Sequence, residues 1–264
     1  MLNRLVEYAQ TSGLAAEPGF ARKDIRWALV FSEDGRRFLN VIELGDTGEK
    51  KNKGRVFASA PDMPRPVLQG GGKCHFLVES VEVIAMFLDK KSDKDKIKIK
   101  HDYYCSLLNQ ASSSLPELGI VGEKLKEDAT LILIQKELTA KKVKPSESCT
   151  VALGASYPLD SNNWRRWWKD FIANIQNSGK ESTADTSEDV SMLDIVTGQS
   201  CKPLSSHPKI KGLSSVGGLA MGDSMVSFDK EAFRSYNLDS GSNAAMSDQS
   251  AAIYSEALNS LIKE

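Results

Sequence analysis

The apolar positions of the chain change period several times, and each change predicts an element. Asp24–Ser32 (DIRWALVFS) is rich in β-branched and aromatic residues and predicts a strand. Asp34-Gly35 marks a turn, and Arg36–Leu44 (RRFLNVIEL) alternates in part, so the two runs predict a hairpin. Pro61–Pro66 (PDMPRP) is closed to helix and to a central strand. Cys74–Leu88 alternates like a strand in its first half; its second half fits either the end of that strand or a helix. The charge run at 89–100 (DKKSDKDKIKIK) has the pattern of a solvated face or loop. Residues 101–127 predict a helix, a break at Pro116 and a second short helix. Ala129–Leu138 (ATLILIQKEL) fits a buried strand or a helix, and Cys149–Ala155 (CTVALGA) predicts a strand. Asn162–Gln176 predicts a helix with Asn or Ser as its cap.

Beyond this helix the apolar residues thin out. Residues 177–190 are polar and acidic and predict a linker or exposed loop between an N-terminal part, 1–176, and a C-terminal part, 191–264, packed on it. The C-terminal part carries a short apolar piece (MLDIVTG), a glycine-rich stretch from His207 to Gly218, a strand at Asp223–Asp229 and a closing helix with Ser247 as N-cap. Strands and helices alternate without a βαβ rhythm. The expected class is α+β, a mixed and mostly antiparallel sheet with flanking helices and long irregular loops.

Composition narrows the function classes. The 264 residues are 41% hydrophobic and 26% charged, with a formal net charge of −1. That is an ordinary globular balance, so any nucleic-acid face must be a local patch. Lysine-rich runs at 49–55, 90–100 and 136–144 have the composition of solvated surface. No apolar run approaches a membrane span, and the start, MLNRLVEYAQ, is a short amphipathic helix without the apolar core of a signal peptide. The expected location is the cytoplasm, with no membrane partner. Cys74, Cys105, Cys149 and Cys201 form no CxxC pair and are expected to be reduced thiols, mostly buried. Pairing Cys74 with His75, or Cys201 with His207, matches no usual zinc spacing, so no metal and no cofactor is expected.

Motifs for catalysis fail at the residues the chemistry needs. A phosphate-binding loop requires G-x-x-x-x-G-K-[ST]. Gly212 and Gly217 have the glycine spacing, but Gly218 and Leu219 stand where Lys and Ser/Thr belong. Gly70-Gly71-Gly72-Lys73 has the lysine, but Val67 replaces the first glycine and Cys74 the hydroxyl. There is no G-x-S-x-G and no H-E-x-x-H, and His75, His101 and His207 have no partner that sequence identifies. The expectation is a protein that is not an enzyme.

Two bare loops suggest binding instead. Lys209, Lys211 and Lys202 bring charge beside the small residues Gly212, Gly217 and Gly218, while Ser214 and Ser215 add hydroxyls. Such a loop allows backbone N–H groups and hydroxyls to approach phosphates. Gln69, Gly71, Lys73 and His75 repeat the ingredients, with an amide able to read a base edge. Trp164, Trp167 and Trp168 share one helix face, with Arg165 and Arg166 pointing away. That face fits a buried or docked surface better than a base-stacking platform.

The order of these segments resembles the large-subunit family of type I-C CRISPR Cascade complexes. The likeness is densest over 195–262, in a VTG turn, HPKIKG, the glycine-rich segment, VSF, AF-SY and an ALN helix. GFARKDIRWALVFSEDGRRFLNVIEL, GKCHFLVES and DYYCSLLNQASSSLPELGIVGEKL are similar to the family's opening hairpin, a KPNFLVDN-like segment and a helix pair. His75 stands where the family usually has Asn, Glu79-Ser80 replaces Asp-Asn, Asp229 stands for Asn, and Asn237 for Gly. The resemblance implies a non-catalytic subunit that recognises the protospacer-adjacent motif in duplex DNA and helps start the R-loop. Its implied partners are target DNA, the crRNA-bound backbone and 5′-handle subunits, and a recruited helicase-nuclease. Family members continue into a helical C-terminal region, so the chain is expected to match their N-terminal part or to be a short homologue. A short homologue could instead dock on the complex and block it.

Overall fold

Residues 27–43 form the expected hairpin, on one side of a four-stranded sheet. In the computed structural model, which describes residues 2–12, 17, 19–45, 54–64, 67–68, 70–181, 191–228, 230–234, 237–238 and 240–262, the elements fall into two compact units. One is Glu17–Thr183; the other joins Met1–Ala16 to Ala184–Glu264.

In the larger unit, β1 (Phe20–Ile25) pairs with β4 (Arg55–Pro61) as a separate antiparallel ribbon. The run expected as one strand from Asp24 therefore breaks at Arg26. Strand β2 (Trp27–Phe31) is buried at every position, which is why WALVF shows no alternation. It pairs antiparallel with β3 (Phe38–Glu43) and parallel with β6 (Ser148–Leu153), and β6 pairs with the short β5 (Glu79–Ser80). The sheet order is β3-β2-β6-β5. Gly35, at φ +73°, turns the hairpin, and its N–H donates to Ser32 O at 2.8 Å. The fold is α+β with mostly antiparallel pairing, as expected.

Cys74–Leu88 is strand only at Glu79–Ser80, and Val81–Ala85 is a short helix, α2. Residues 74–78 pack irregularly. The charge run at 89–100 is loop over 89–93 and a solvated helix face beyond, within the expected patterns. From Lys94 it is the first turn and more of an 18-residue helix, α3 (Lys94–Ala111). Asp93 caps that helix by accepting from Lys96 N at 3.3 Å, and only Ile97 of its first two turns is buried. Lysine side chains tolerate helix well, so a solvated helix face fits the same residues. Pro116 opens α4 (Pro116–Lys126), and α5 (Asp128–Ala140) resolves the ambiguity of 129–138 in favour of helix. Helix α6 (Arg165–Glu181) follows a short 3-10 turn at Pro158–Asp160.

The smaller unit has little regular structure. Helix α1 (Leu2–Thr11) packs on α7 (Asp248–Leu261), around a core of Leu5, Ala9, Ile210, Met246, Ala251, Tyr254 and Ala257. The N-terminal helix therefore groups with the C-terminal segment rather than with residues 17–176. Two short ribbons complete it: β7 (Met192–Leu193) with β8 (Ser200–Cys201), and β9 (Lys209–Ile210) with β10 (Asp223–Ser224). The strand expected over Asp223–Asp229 is only these two residues long; Asp229 lies outside the described residues. Ser247 caps α7 as expected, accepting from Ser250 N at 3.1 Å. Most of the linker expected at 177–190 lies outside the described residues, and the part that is described continues α6. Among the described residues no helix is long and apolar enough to cross a membrane.

Candidate nucleic-acid interface

The stretch from His207 to Gly218 divides into a buried base and an exposed tip. Its base is strand β9, where Ile210 enters the small core and Lys209 is exposed. Lys211 N donates to Asn259 Oδ1 at 2.7 Å, which ties the loop to α7. Beyond it Leu213–Val216 forms a 3-10 turn flanked by two left-handed glycines, Gly212 at φ +96° and Gly217 at φ +99°. A Cβ on Gly212 would also meet Ile262 Cγ2 at 2.8 Å. The bareness of the loop thus has a local cause. Two positions need positive φ, and one of them lies against α7.

The donor count of this loop is smaller than the sequence suggests. Gly218 N donates to Leu213 O at 2.9 Å, Leu219 N to Asp223 Oδ2 at 3.1 Å, and Gly222 N to Leu219 O at 2.9 Å. These amides are spent inside the loop. What remains exposed is Lys209, Lys211, Gly212, Ser214 and Ser215, beside Val216, Leu219 and Met221, of which Val216 is 79% exposed. The surface offers two ammonium groups and two hydroxyls, the groups that position a phosphate backbone.

The second loop belongs to the other unit. Gln69 lies outside the described residues. Gly71, at φ +79°, and Lys73 are exposed, with nothing near the position of a Gly71 Cβ. His75, by contrast, is turned inward. Its Nδ1 accepts from Met63 N at 3.1 Å, lies 3.0 Å from Lys23 Nζ, and lies 3.4 Å from Asp62 Oδ1. Its own N–H donates to Glu79 Oε2 at 3.0 Å, and Ser80 N donates to Glu79 Oε1 at 2.9 Å. His75 Nδ1 is therefore held by the chain between β4 and α2, while a quarter of the side chain stays exposed. No sequence signal announced Lys23 or Asp62 as its partners, since both are remote in the chain.

That placement makes stability sensitive to acid. Burial, and then the Lys23 ammonium, hold the His75 imidazole below its usual pKa of 6.5. Burial does the same to His207. A histidine depressed in the folded state adds stability above the unfolded value of about 6.5, and loses it as the pH falls through the lower folded value. The urea midpoint should fall on going from about pH 7 to about pH 5. His75→Asn keeps an acceptor for Met63 N–H and should flatten that decline. An equally steep decline in the variant would place the acid sensitivity elsewhere.

The tryptophan face is core. Trp164 and Trp168 are fully buried; their indoles donate to Pro158 O at 2.7 Å and Gly19 O at 2.6 Å. Phe76 stacks on Trp168 with centroids 5.4 Å apart. Arg166 is exposed, but Arg165 does not point into solvent. It lies 4.1 Å over the Phe20 ring and donates to Glu17 Oε2 and Ser59 Oγ.

Three of the four cysteines are buried and Cys201 is half-buried; all are free thiols. Burial pushes Cys105 and Cys149 up to about 12, which keeps them inert thiols at neutral pH. His101 is packed between the carbonyls of Val83 and Leu125, at 2.9 and 3.1 Å. Among the described residues no three His, Cys, Asp or Glu side chains are grouped to hold a metal ion.

The residue that sequence reasoning passed over is Asp194. It is buried in the smaller unit and accepts from Val196 N, Thr197 N, Ser247 N and Ser247 Oγ at 2.8, 3.2, 2.9 and 2.7 Å. An Asp two and three residues before free amides is an Asx-turn signature, so half of this role was legible in D-I-V-T.

A family model described as CRISPR-associated protein (Cas_Csd1) matches residues 2–264. No curated protein matches the chain.

Proposed function

The chain belongs to the CRISPR-associated Cas_Csd1 family, and from that premise we propose that it is a non-catalytic DNA-recognition subunit of a type I-C, crRNA-guided surveillance complex. In this reading it engages the protospacer-adjacent motif in duplex DNA and helps start R-loop formation. Base pairing with the guide then reads the remaining sequence. The observation that carries the reading is the family match across the chain. The β9–β10 loop supports it, because Lys209, Lys211, Ser214 and Ser215 are exposed together on a tethered base. Lys73 and Gly71 provide a second, weaker contact. His75 is a lesser member of this contact set, because its Nδ1 is taken up by Met63 N–H, Lys23 and Asp62. The partners that follow are target DNA, the crRNA-bound subunits and a helicase-nuclease.

The test is duplex binding in the presence of the other complex subunits, over a salt series. Lys209→Ala/Lys211→Ala should weaken binding about tenfold and reduce the salt slope by about 2, one phosphate contact for each lysine. It should do so for every duplex sequence, since phosphate contacts carry no base information. If wild type and double variant both join the complex and bind duplex equally, the loop is not a DNA contact. If both join and neither promotes duplex binding, the chain is a docking protein instead.

A further inference from the structure

Helix α5 (Asp128–Ala140) carries four consecutive aliphatic residues, Leu131 to Ile134, so it is apolar on more than one side. Its inner face is Thr130, Ile134 and Leu138, spaced four apart and buried in the larger unit. Gln135 fixes the helix about its own axis, because its Nε2 donates to Ala85 O and to Met86 O at 3.0 Å each. The outer face is thereby fixed too. It presents Ala129, Ile132, Leu133, Lys136 and Ala140, all exposed, with Ile132 at 64% and Leu133 at 56%. Spacings of three and four residues join these positions into one stripe. A helix face turned to water ordinarily carries polar and charged side chains, and lone aliphatic residues on it are commonplace. Here the lysine is the exception and the aliphatic residues are the rule.

Charge decides what covers this stripe. Lys136 stands one turn from both Ile132 and Leu133, and Lys141, Lys142 and Lys144 follow at the C-terminal end of the helix. All four are exposed, and none is in an ion pair among the described residues. The lysines just before the helix differ: Lys124 pairs with Glu127 at 2.9 Å and Lys126 with Glu123 at 3.0 Å. The apolar stripe therefore runs into a cationic end that this unit leaves without carboxylates.

We propose that this stripe docks an acidic amphipathic helix of another protein subunit, with apolar residues on Ile132 and Leu133 and a carboxylate against Lys136. Ala129 and Ala140, at the two ends, leave room for a second helix to approach closely. Other occupants match less of the surface. A phosphate backbone satisfies the lysines and leaves both large aliphatic side chains in water. A second copy of this chain sets the same patch against itself, lysine facing lysine, because a two-fold interface is isologous. An acidic amphipathic helix covers the apolar residues and neutralises the cations together. The proposal rests on the placement of the chain in a multisubunit complex, and it adds a protein contact to the DNA contacts.

The test is reconstitution of the full chain with the crRNA-bound subunits of the complex, purified without it. Ile132→Glu/Leu133→Glu should weaken joining about a hundredfold, since two apolar anchors are lost and carboxylates then face carboxylates. Lys136→Glu should weaken it about tenfold, and Lys136→Arg should join like wild type. All these positions face solvent, so the circular dichroism spectrum and urea midpoint of each variant should match wild type. A photo-crosslinking residue in place of Ala129 should recover an acidic helical peptide from another subunit. Recovery of guide RNA, DNA, a second copy of this chain or the chain's own residues overturns the proposal. If Ile132→Glu/Leu133→Glu joins as wild type does, the docking face is wrong, while the recognition-subunit reading keeps its own test at Lys209 and Lys211. If that variant is excluded and wild type joins without promoting duplex binding, the docking face stands and the recognition-subunit reading fails. If wild type does not join, both fail.

Discussion

Trp168→Ala should cost the larger unit about 3–5 kcal/mol, the range for deleting a fully buried Trp side chain. The indole is sealed from solvent, stacks with Phe76 and with Phe171, and donates to Gly19 O at 2.6 Å. Truncation would leave a cavity among rigid rings and an unpaired carbonyl at the turn into β1. Neighbouring Trp164 and Phe171 cannot collapse into the space without giving up their own packing. Against a whole-domain stability of about 5–15 kcal/mol, the loss is a large share. Trp168→Phe keeps most of the ring contact and loses the hydrogen bond, so it should cost about 1–3 kcal/mol. Urea unfolding followed by far-ultraviolet circular dichroism measures both. A Trp168→Ala midpoint close to wild type would show that the aromatic cluster is not what holds α6 to the β1–β4 ribbon.

Asp194→Asn should cost the smaller unit about 3 kcal/mol, although the substitution is isosteric. Four groups aim at this carboxylate, three backbone N–H groups and the Ser247 hydroxyl, and all four can donate. An amide offers one oxygen and turns an NH₂ toward donors, leaving buried groups unmatched. The same arrangement sets the pH response. Burial alone would push the carboxyl up, but the hydrogen bonds from Ser247, with Ser250 and Val196, outweigh it and hold Asp194 down at about 2. A depressed carboxyl contributes stability above its unfolded value and loses it as the pH falls through the folded one. The contribution, about 2 kcal/mol, is complete above about pH 4 and lost on acidification toward pH 2. Hydrogen exchange at the first turn of α7 reports it locally. Equal exchange in wild type and Asp194→Asn at neutral pH would mean that Ser247 caps the helix without help from Asp194.

Local signals carried much of the fold. The Asp34-Gly35 turn, the all-apolar WALVF, the break at Pro116 and the Ser247 cap depend on residues within a few positions of one another. Each is visible without the fold. Asp194 was half visible, because its Asx turn is local while its grip on Ser247 spans more than fifty residues. The charge run at 89–100 left two readings open, because the same lysines serve a loop and a solvated helix face. Only the packing of Ile97 and the Asp93 cap distinguishes them. The candidate interface divides the same way. The glycines and lysines of 207–218 were legible as a bare charged loop, but not which of its amides are already paired.

By itself, then, the sequence determined the class of fold, the β2–β3 hairpin, the buried tryptophan face and the exposed loop at Lys209 and Lys211. Periodicity and turn chemistry act over a handful of residues, and those features need nothing more. Tertiary structure alone decided that α1 joins the C-terminal segment, that His75 faces Lys23 and Asp62, and that His207 is buried against Tyr254. Each of these depends on groups far apart in the chain, brought together by burial of apolar surface that many sequences share and no local pattern marks.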